Sequence, residues 1–256
     1  MTSRLFDLSG KVAIVTGGNG GIGLGMARGL ADAAAALAIV GRNAAKSEEA
    51  VADIAARGVK AISVACDVTD KHAVAAMVER VQRELGRIDI LINNAGINIR
   101  KPPQLLELDE WESVIDTNLT SAFLCSKAVH AAMKQAGGGK VINIGSMMSI
   151  FGASFAPAYS ASKGGIVQFT RSCACGWAAD NIQVNAILPG WIDTDLTRRA
   201  RAEIGGLHER VLSRTPAARW GAIDDFGGIA VFLASPASDF VTGTAIPVDG
   251  GFSIMG

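Results

Sequence analysis

Tyr159 and Lys163 stand four residues apart in the stretch Tyr159-Ser160-Ala161-Ser162-Lys163, and Tyr159 is the only tyrosine of the chain. On a helix that spacing stacks the two side chains on one face. A phenol titrates near ~10 and is a poor proton carrier at neutral pH. A neighbouring ammonium favours the phenolate and lowers that pKa, tuning the group for general acid–base chemistry. Thirteen residues before Tyr159, Ser146 sits just past an apolar run, where its hydroxyl could hold a reacting oxygen. A lone Tyr-x-x-x-Lys is mostly structural in arbitrary sequences. Ser146 and a glycine turn near the N-terminus give this one its chemical reading.

That turn is Thr16-Gly17-Gly18-Asn19-Gly20-Gly21-Ile22-Gly23, directly after an apolar run. A pyrophosphate needs bare backbone N–H groups at a helix N-terminus, and a tight strand-to-helix turn needs glycine angles, so either role accounts for the cluster. Its spacing, Gly17-x-x-x-Gly21-x-Gly23, differs from the commoner G-x-G-x-x-G. Eighteen residues past Gly23 the second run ends in Gly41-Arg42, where an NAD site would carry a carboxylate for the ribose 2′-hydroxyl. The Arg42 guanidinium suits a 2′-phosphate instead, although a solvated loop arginine would read the same. Asp67-Val68 closes the third run and Asn93-Asn94-Ala95-Gly96 the fourth. Each is an ordinary turn former alone. Together they mark one edge along which a dinucleotide would lie.

Elements must position these residues. Short runs rich in Val and Ile, at 12–16, 37–40, 61–66, 88–93, 140–144, 182–188 and 244–248, read as strands buried on both faces. Candidate helices lie between them at 21–33, 44–57, 70–85, 109–135, 157–179 and 223–234. This alternation predicts repeated βαβ units and an α/β fold with a parallel, doubly wound sheet. No Pro-, Gly- or Ser-rich linker interrupts it, so one domain is expected over 1–256. The longest departure, 190–221, follows a strand end and carries Arg198, Arg199, Arg201, Arg210, Arg214 and Arg219. Ligands bind beyond the carboxyl ends of such strands, which makes this segment a candidate substrate lid; a plain surface excursion is the alternative.

Composition narrows the function classes. Lys plus Arg equals Asp plus Glu at 24 each, so neither nucleic acid nor an anionic membrane is an expected partner. No apolar stretch reaches the roughly 18 residues of a membrane span, and residues 1–10 show no signal-peptide core. Cys66, Cys125, Cys173 and Cys175 are scattered, as reduced thiols of a cytoplasmic protein would be, and no metal site is expected.

The chain resembles the short-chain dehydrogenases/reductases over essentially its full length. The resemblance rests on the 16–23 turn, Asp67-Val68, Asn93–Gly96, Asn118, Ser146, Tyr159–Lys163, Pro189-Gly190 with Thr194, and Val248–Gly251. It implies a Rossmann-type sheet of about seven strands in the order 3-2-1-4-5-6-7, commonly in homotetramers, and an NAD(P)-dependent exchange of a secondary alcohol and a ketone. Tyr159 would then be the acid/base, Lys163 would bind the nicotinamide ribose and lower the tyrosine pKa, and Ser146 would hold the reacting oxygen. Asn118 would hold a water linking Lys163 to solvent. Gly17, Asn19, Gly21, Ile22, Gly23, Arg42, Asp67, Val68, Asn94, Ala95 and Gly96 would line the cofactor. Pro189, Gly190, Ile192 and Thr194 would hold its carboxamide. Gly41-Arg42 in place of the acidic position favours NADP over NAD. Relatives carry glycine where this chain has Ala34, so either Ala34 is strained by about 1 kcal/mol or the first helix ends differently.

Within that family, 93–103, 116–119 and 214–221 are most similar to the sugar-acid and polyol dehydrogenases of the gluconate 5-dehydrogenase and 2-deoxy-D-gluconate 3-dehydrogenase kind. Arg100 is close enough to the fourth strand to meet a substrate carboxylate, and an interface or solvent arginine would look alike. Ser146 and Met147 are further substrate candidates; Met147 and Met148 fit an adaptable apolar wall and fit core packing equally well. Two rivals stand beside this reading. A 3-oxoacyl-thioester (acyl-carrier-protein) reductase would use the loop arginines as a docking surface. An inactive cofactor-sensing regulator would usually lack the Tyr or Lys, and both are present.

Overall fold

The computed structural model describes residues 4–255; residues 1–3 and 256, the outer ends of the domain expected over 1–256, lie outside the described residues. Seven strands form one parallel sheet: β1 (Val12–Thr16), β2 (Ala36–Gly41), β3 (Ala61–Ala65), β4 (Ile90–Asn93), β5 (Gly139–Ile144), β6 (Ile182–Pro189) and β7 (Ala245–Val248). Their order is β3-β2-β1-β4-β5-β6-β7, as the resemblance implied. The continuous apolar runs are explained by burial on both faces: every residue of β1 and of β4 is buried. Neighbours are in parallel register, with Val15 beside Ile39 on one side and Ile92 on the other. Strand order reverses at β1 and β4, and in such sheets the crevice for a ligand opens beyond the strand ends at that point.

The helices are α1 (Gly21–Asp32), α2 (Ala44–Ala55), α3 (Lys71–Leu85), α4 (Leu108–Ile115), α5 (Ser121–Gln135), α6 (Pro157–Trp177), α7 (Asp195–Glu203), α8 (Leu207–Arg214) and α9 (Gly227–Ala234). Met26, Leu30, Ile54, Phe226 and Leu233 pack the face covered by α1, α2 and α9. Val74, Met77, Cys125, Val129 and Cys173 pack the face covered by α3, α5 and α6.

Two expectations change. The helix expected over 109–135 is α4 and α5 separated by a π-turn, Asp116–Thr120, whose wider winding carries Asn118 into the interior. Residues 223–234 begin as a 3₁₀ turn before α9. The segment 190–221, the longest departure from the strand–helix rhythm, is itself folded into α7 and α8. At the end of α1, Ala34 takes φ +75°; its N–H bonds Ala31 O at 2.8 Å and the Ala35 N–H bonds Leu30 O at 3.0 Å. That is a Schellman ending with alanine in the glycine position, so of the two expected alternatives strain is the one found. Among the described residues no helix is long and apolar enough to cross a membrane, and no His/Cys/Asp/Glu group could hold a metal ion.

Candidate active site

Tyr159 lies in the first turn of α6, behind the helix-starting Pro157, and Lys163 follows one turn later. The Lys163 ammonium stands 5.6 Å from the centre of the Tyr159 ring and donates to the Ile144 carbonyl oxygen at 2.6 Å. The Ser146 hydroxyl, just beyond β5, shares the cavity wall with Tyr159 and accepts from the Met148 N–H at 3.1 Å. Ser149 locks the arrangement: its hydroxyl accepts from the Ser146 N–H and donates to the Lys163 carbonyl. All three side chains face a cavity of about 360 Å³.

The titration of this cluster differs from the sequence expectation. Burial pushes the Tyr159 phenol above its ordinary 10.0, while the neighbouring Ser146 hydroxyl and the Arg100 charge pull it down. Burial also lowers Lys163 to about 8. The expected lowering of Tyr159 by Lys163 is therefore not what governs the tyrosine here. A desolvated ammonium bonded to a carbonyl oxygen is itself short of stabilisation. Asn118 does not touch Lys163: its Oδ1 accepts from the Ile97 N–H, and its Nδ2 donates to Ile97 O and to Ser162 Oγ. Ser162 in turn donates to the Tyr159 carbonyl, so Asn118 ties the loop after β4 to the first turn of α6.

The glycine turn fits a dinucleotide. Gly17 has φ +61°, and a Cβ there would lie 2.9 Å from Asn94 Nδ2, so only glycine suits the position. Asn94 donates to the carbonyls of Thr16 and Gly17, and the Thr16 hydroxyl accepts from the N–H groups of Asn94 and Ala95. No side chain caps the N-terminus of α1, so its first N–H groups remain for an anion. Gly17, Asn19, Gly21, Ile22, Asn94, Ala95 and Gly96 line the cavity, as do Pro189, Gly190, Ile192 and Thr194. A second cavity, about 620 Å³, shares Gly17, Asn19, Ala95 and Gly96 and continues to Arg42, Asp67 and Val68. The two lobes match the two halves of a dinucleotide. Arg42 makes no hydrogen bond or ion pair among the described residues, and its charge lowers the Asp67 carboxyl behind the stronger pull of Thr69.

Two expected contacts are displaced. Gly23 does not line either cavity; a Cβ there would lie 2.5 Å from Gly17 O, so this glycine packs α1 under the turn. Met147 is 2% exposed and packed with Ala122, Ile166 and Leu188, which makes it core rather than substrate wall. Arg100 lies beside the site and reaches α7, bonding the Glu203 carboxylate at 2.9 Å and Leu196 O at 3.2 Å.

The arginines of 190–221 are largely engaged within the protein. Arg198 and Arg201 pair with Asp193, and Arg219 with Asp225. Arg201 also stacks on Trp220, and Arg214 lies between the rings of Phe151 and Phe252. Arg198 and Arg201 thus bind within the segment, whereas Arg214 and Arg219 tie it to the body of the protein.

Sequence reasoning missed Gly20, Lys46, Asp195 and Leu196 on the cavity wall, and Ser149 behind it. Lys46 carried a signal, a basic residue in the first turn of α2 shortly after Arg42. Ser149 completes a capping box with Ser146, a pattern legible as a helix start but not as a brace for Lys163.

Comparison with known proteins agrees with this geometry. The family model described as Enoyl-(Acyl carrier protein) reductase matches residues 17–253. The chain is 43% identical to the 2-dehydro-3-deoxy-D-gluconate 5-dehydrogenase of Formosa agariphila, over 98% of this chain and 96% of that protein. It is 42% identical to the 5-keto-D-gluconate 5-reductase of Escherichia coli, over 98% of each. Among solved structures, the gluconate 5-dehydrogenase of Burkholderia cenocepacia in complex with NADP and tartrate superposes with a TM-score of 0.93, at 39% identity over 98% of both chains.

Proposed function

The chain belongs to the short-chain dehydrogenases/reductases, and from that premise we propose that it interconverts a secondary alcohol and a ketone on a sugar acid, with NADP as the hydride carrier. One observation carries the chemistry: Ser146, Tyr159 and Lys163 line one cavity wall together, with the Lys163 ammonium 5.6 Å from the centre of the Tyr159 ring. Sugar-acid relatives at above 40% identity, and the NADP and tartrate bound by the Burkholderia cenocepacia enzyme, support the substrate and cofactor classes.

Bound NADP supplies or accepts the hydride. In the reducing direction the Tyr159 phenol gives its proton to the carbonyl oxygen, and Ser146 holds that same oxygen by a second hydrogen bond. A phenol kept protonated by burial is ready for this at neutral pH. In the oxidising direction the tyrosine must first lose its proton, and the Lys163 and Arg100 charges favour the phenolate that results. Lys163, anchored on Ile144 O, is the group that meets the nicotinamide ribose. Asn118 keeps the Ile97 loop and Ser162 in register, and one lone pair left on its Oδ1 suits the water expected there. Arg42, without a partner among the described residues, meets the 2′-phosphate. Arg100 meets the substrate carboxylate. Segment 190–221 serves as the lid of the single domain.

We take the working unit to be a cytoplasmic homotetramer. The four free thiols support the compartment, and the exposed Trp111 and Phe123 on α4 and α5 support further subunit contacts. The thioester alternative loses part of its support, because four of the six loop arginines, Arg198, Arg201, Arg214 and Arg219, are engaged within the protein. A panel of keto-aldonates, neutral ketoses and 3-oxoacyl thioesters, each with NADPH and NADH, tests the assignment. A keto-aldonate with NADPH should give the highest kcat/KM; a thioester in that place would overturn it.

A further inference from the structure

We propose that Lys46 binds a phosphate of the dinucleotide, and that Asp195 of the lid competes with that phosphate for the Lys46 ammonium. Lys46 stands in the first turn of α2, where its N–H is fixed by the Asn43 side chain at 3.0 Å. A Cβ on Gly20 would lie 2.9 Å from Lys46 Nζ, so the ammonium hangs directly over the glycine turn and the uncapped start of α1. Lys46 lines both lobes of the groove, whereas Arg42 lines only the larger one. It therefore sits where the two halves of a dinucleotide would meet, over the glycine turn.

Its bonding is consistent with a charge available for exchange. Among the described residues its ion-pair partner is Asp195, at a long 3.5 Å, with the two side chains 47% and 71% exposed. Exposed pairs of this kind stabilise little. Asp195 has a second partner, Arg198 Nη1 at 3.2 Å, so its carboxylate stays compensated when Lys46 turns to a phosphate. A lysine ammonium on its flexible stem is a point charge able to make that move. The chemistry recognised is a phosphate oxygen, of the diphosphate or of the 2′-phosphate.

Dissociation constants of NADP and NAD, measured calorimetrically on the full chain, test this apart from turnover. Lys46→Met should raise the constant about tenfold, as loss of a charged hydrogen bond would. Asp195→Asn should lower it about two- to fivefold, the scale of an exposed ion pair removed from competition. The double variant should match Lys46→Met, because the effect of Asp195 passes through Lys46. Loss with both cofactors assigns the diphosphate, and loss with NADP alone the 2′-phosphate; either supports the proposal. Unchanged binding of both cofactors to Lys46→Met would overturn it. Weaker binding to Asp195→Asn would do the same, since that sign belongs to a pair that only holds the lid shut.

Discussion

Replacing Arg100 by alanine should separate charged from neutral substrates. The guanidinium makes two hydrogen bonds to the lid, to Glu203 and to Leu196 O, and has five N–H donors in all, so three remain for a carboxylate. Its side chain is only 16% exposed, which strengthens such a bond relative to one in open water. A charged hydrogen bond there contributes roughly 1.5–3 kcal/mol, so kcat/KM for a keto-aldonate should fall about ten- to a hundredfold. The variant also loses the Glu203 contact. That carboxylate is 55% exposed, and a pair of this sort contributes at most about 1 kcal/mol. A neutral ketose of the same shape should therefore lose no more than about fivefold. Glu203→Gln supplies the opposite perturbation, since it removes a carboxylate already bound to Arg100. It should lower KM for the keto-aldonate and leave the ketose near its original value. Arg100→Lys should rescue only in part, because an ammonium cannot reproduce the planar fork. Steady-state kinetics on the matched substrate pair decide the matter. Equal losses on both would refute the reasoning and make Arg100 a lid fastener.

Three further predictions follow from single positions. Arg42→Ala should raise KM for NADP by about tenfold and leave that for NAD nearly unchanged; a like response to both would remove Arg42 from cofactor selection. Ala34→Gly should relieve a left-handed alanine at φ +75° worth about 1 kcal/mol, raising Tm by about 2–4 °C, and an unchanged or lower Tm would deny the strain. Tyr159 is the only tyrosine, so phenolate absorbance in the free enzyme should show a midpoint above the ordinary 10.0, with alcohol oxidation rising as pH rises toward it. A midpoint at or below that value would mean that the Lys163 ammonium, not burial, governs the tyrosine.

Much of the fold was legible because parallel strands buried on both faces leave continuous Val- and Ile-rich runs, and all seven strands match such runs to within two residues. The Tyr159–Lys163 pair and the glycine turn were legible because each needs a fixed spacing in one local element. What escaped depends on contacts distant in sequence. Nothing in 109–135 punctuates the chain as Gly or Pro would, so the π-turn that carries Asn118 inward left no mark. Met147 adjoins Ser146 but turns into the core, a choice made by packing against Ala122 and Leu188. Gly23 was grouped with the cofactor glycines because composition cannot tell backbone approach to a ligand from approach to Gly17 O. The lid arginines looked like an open basic surface until Asp193, Asp225, Trp220 and two phenylalanines were seen against them.

Tyr159→Phe tests the central claim most directly, because it removes one oxygen and keeps the ring beside Lys163. Reduction of a keto-aldonate by NADPH should slow by the ~10²–10⁴-fold expected of a positioned proton donor, with the NADP dissociation constant changed less than about threefold. Turnover near that of the parent enzyme, with cofactor binding intact, would contradict the assignment of Tyr159 as the acid and base of the reaction.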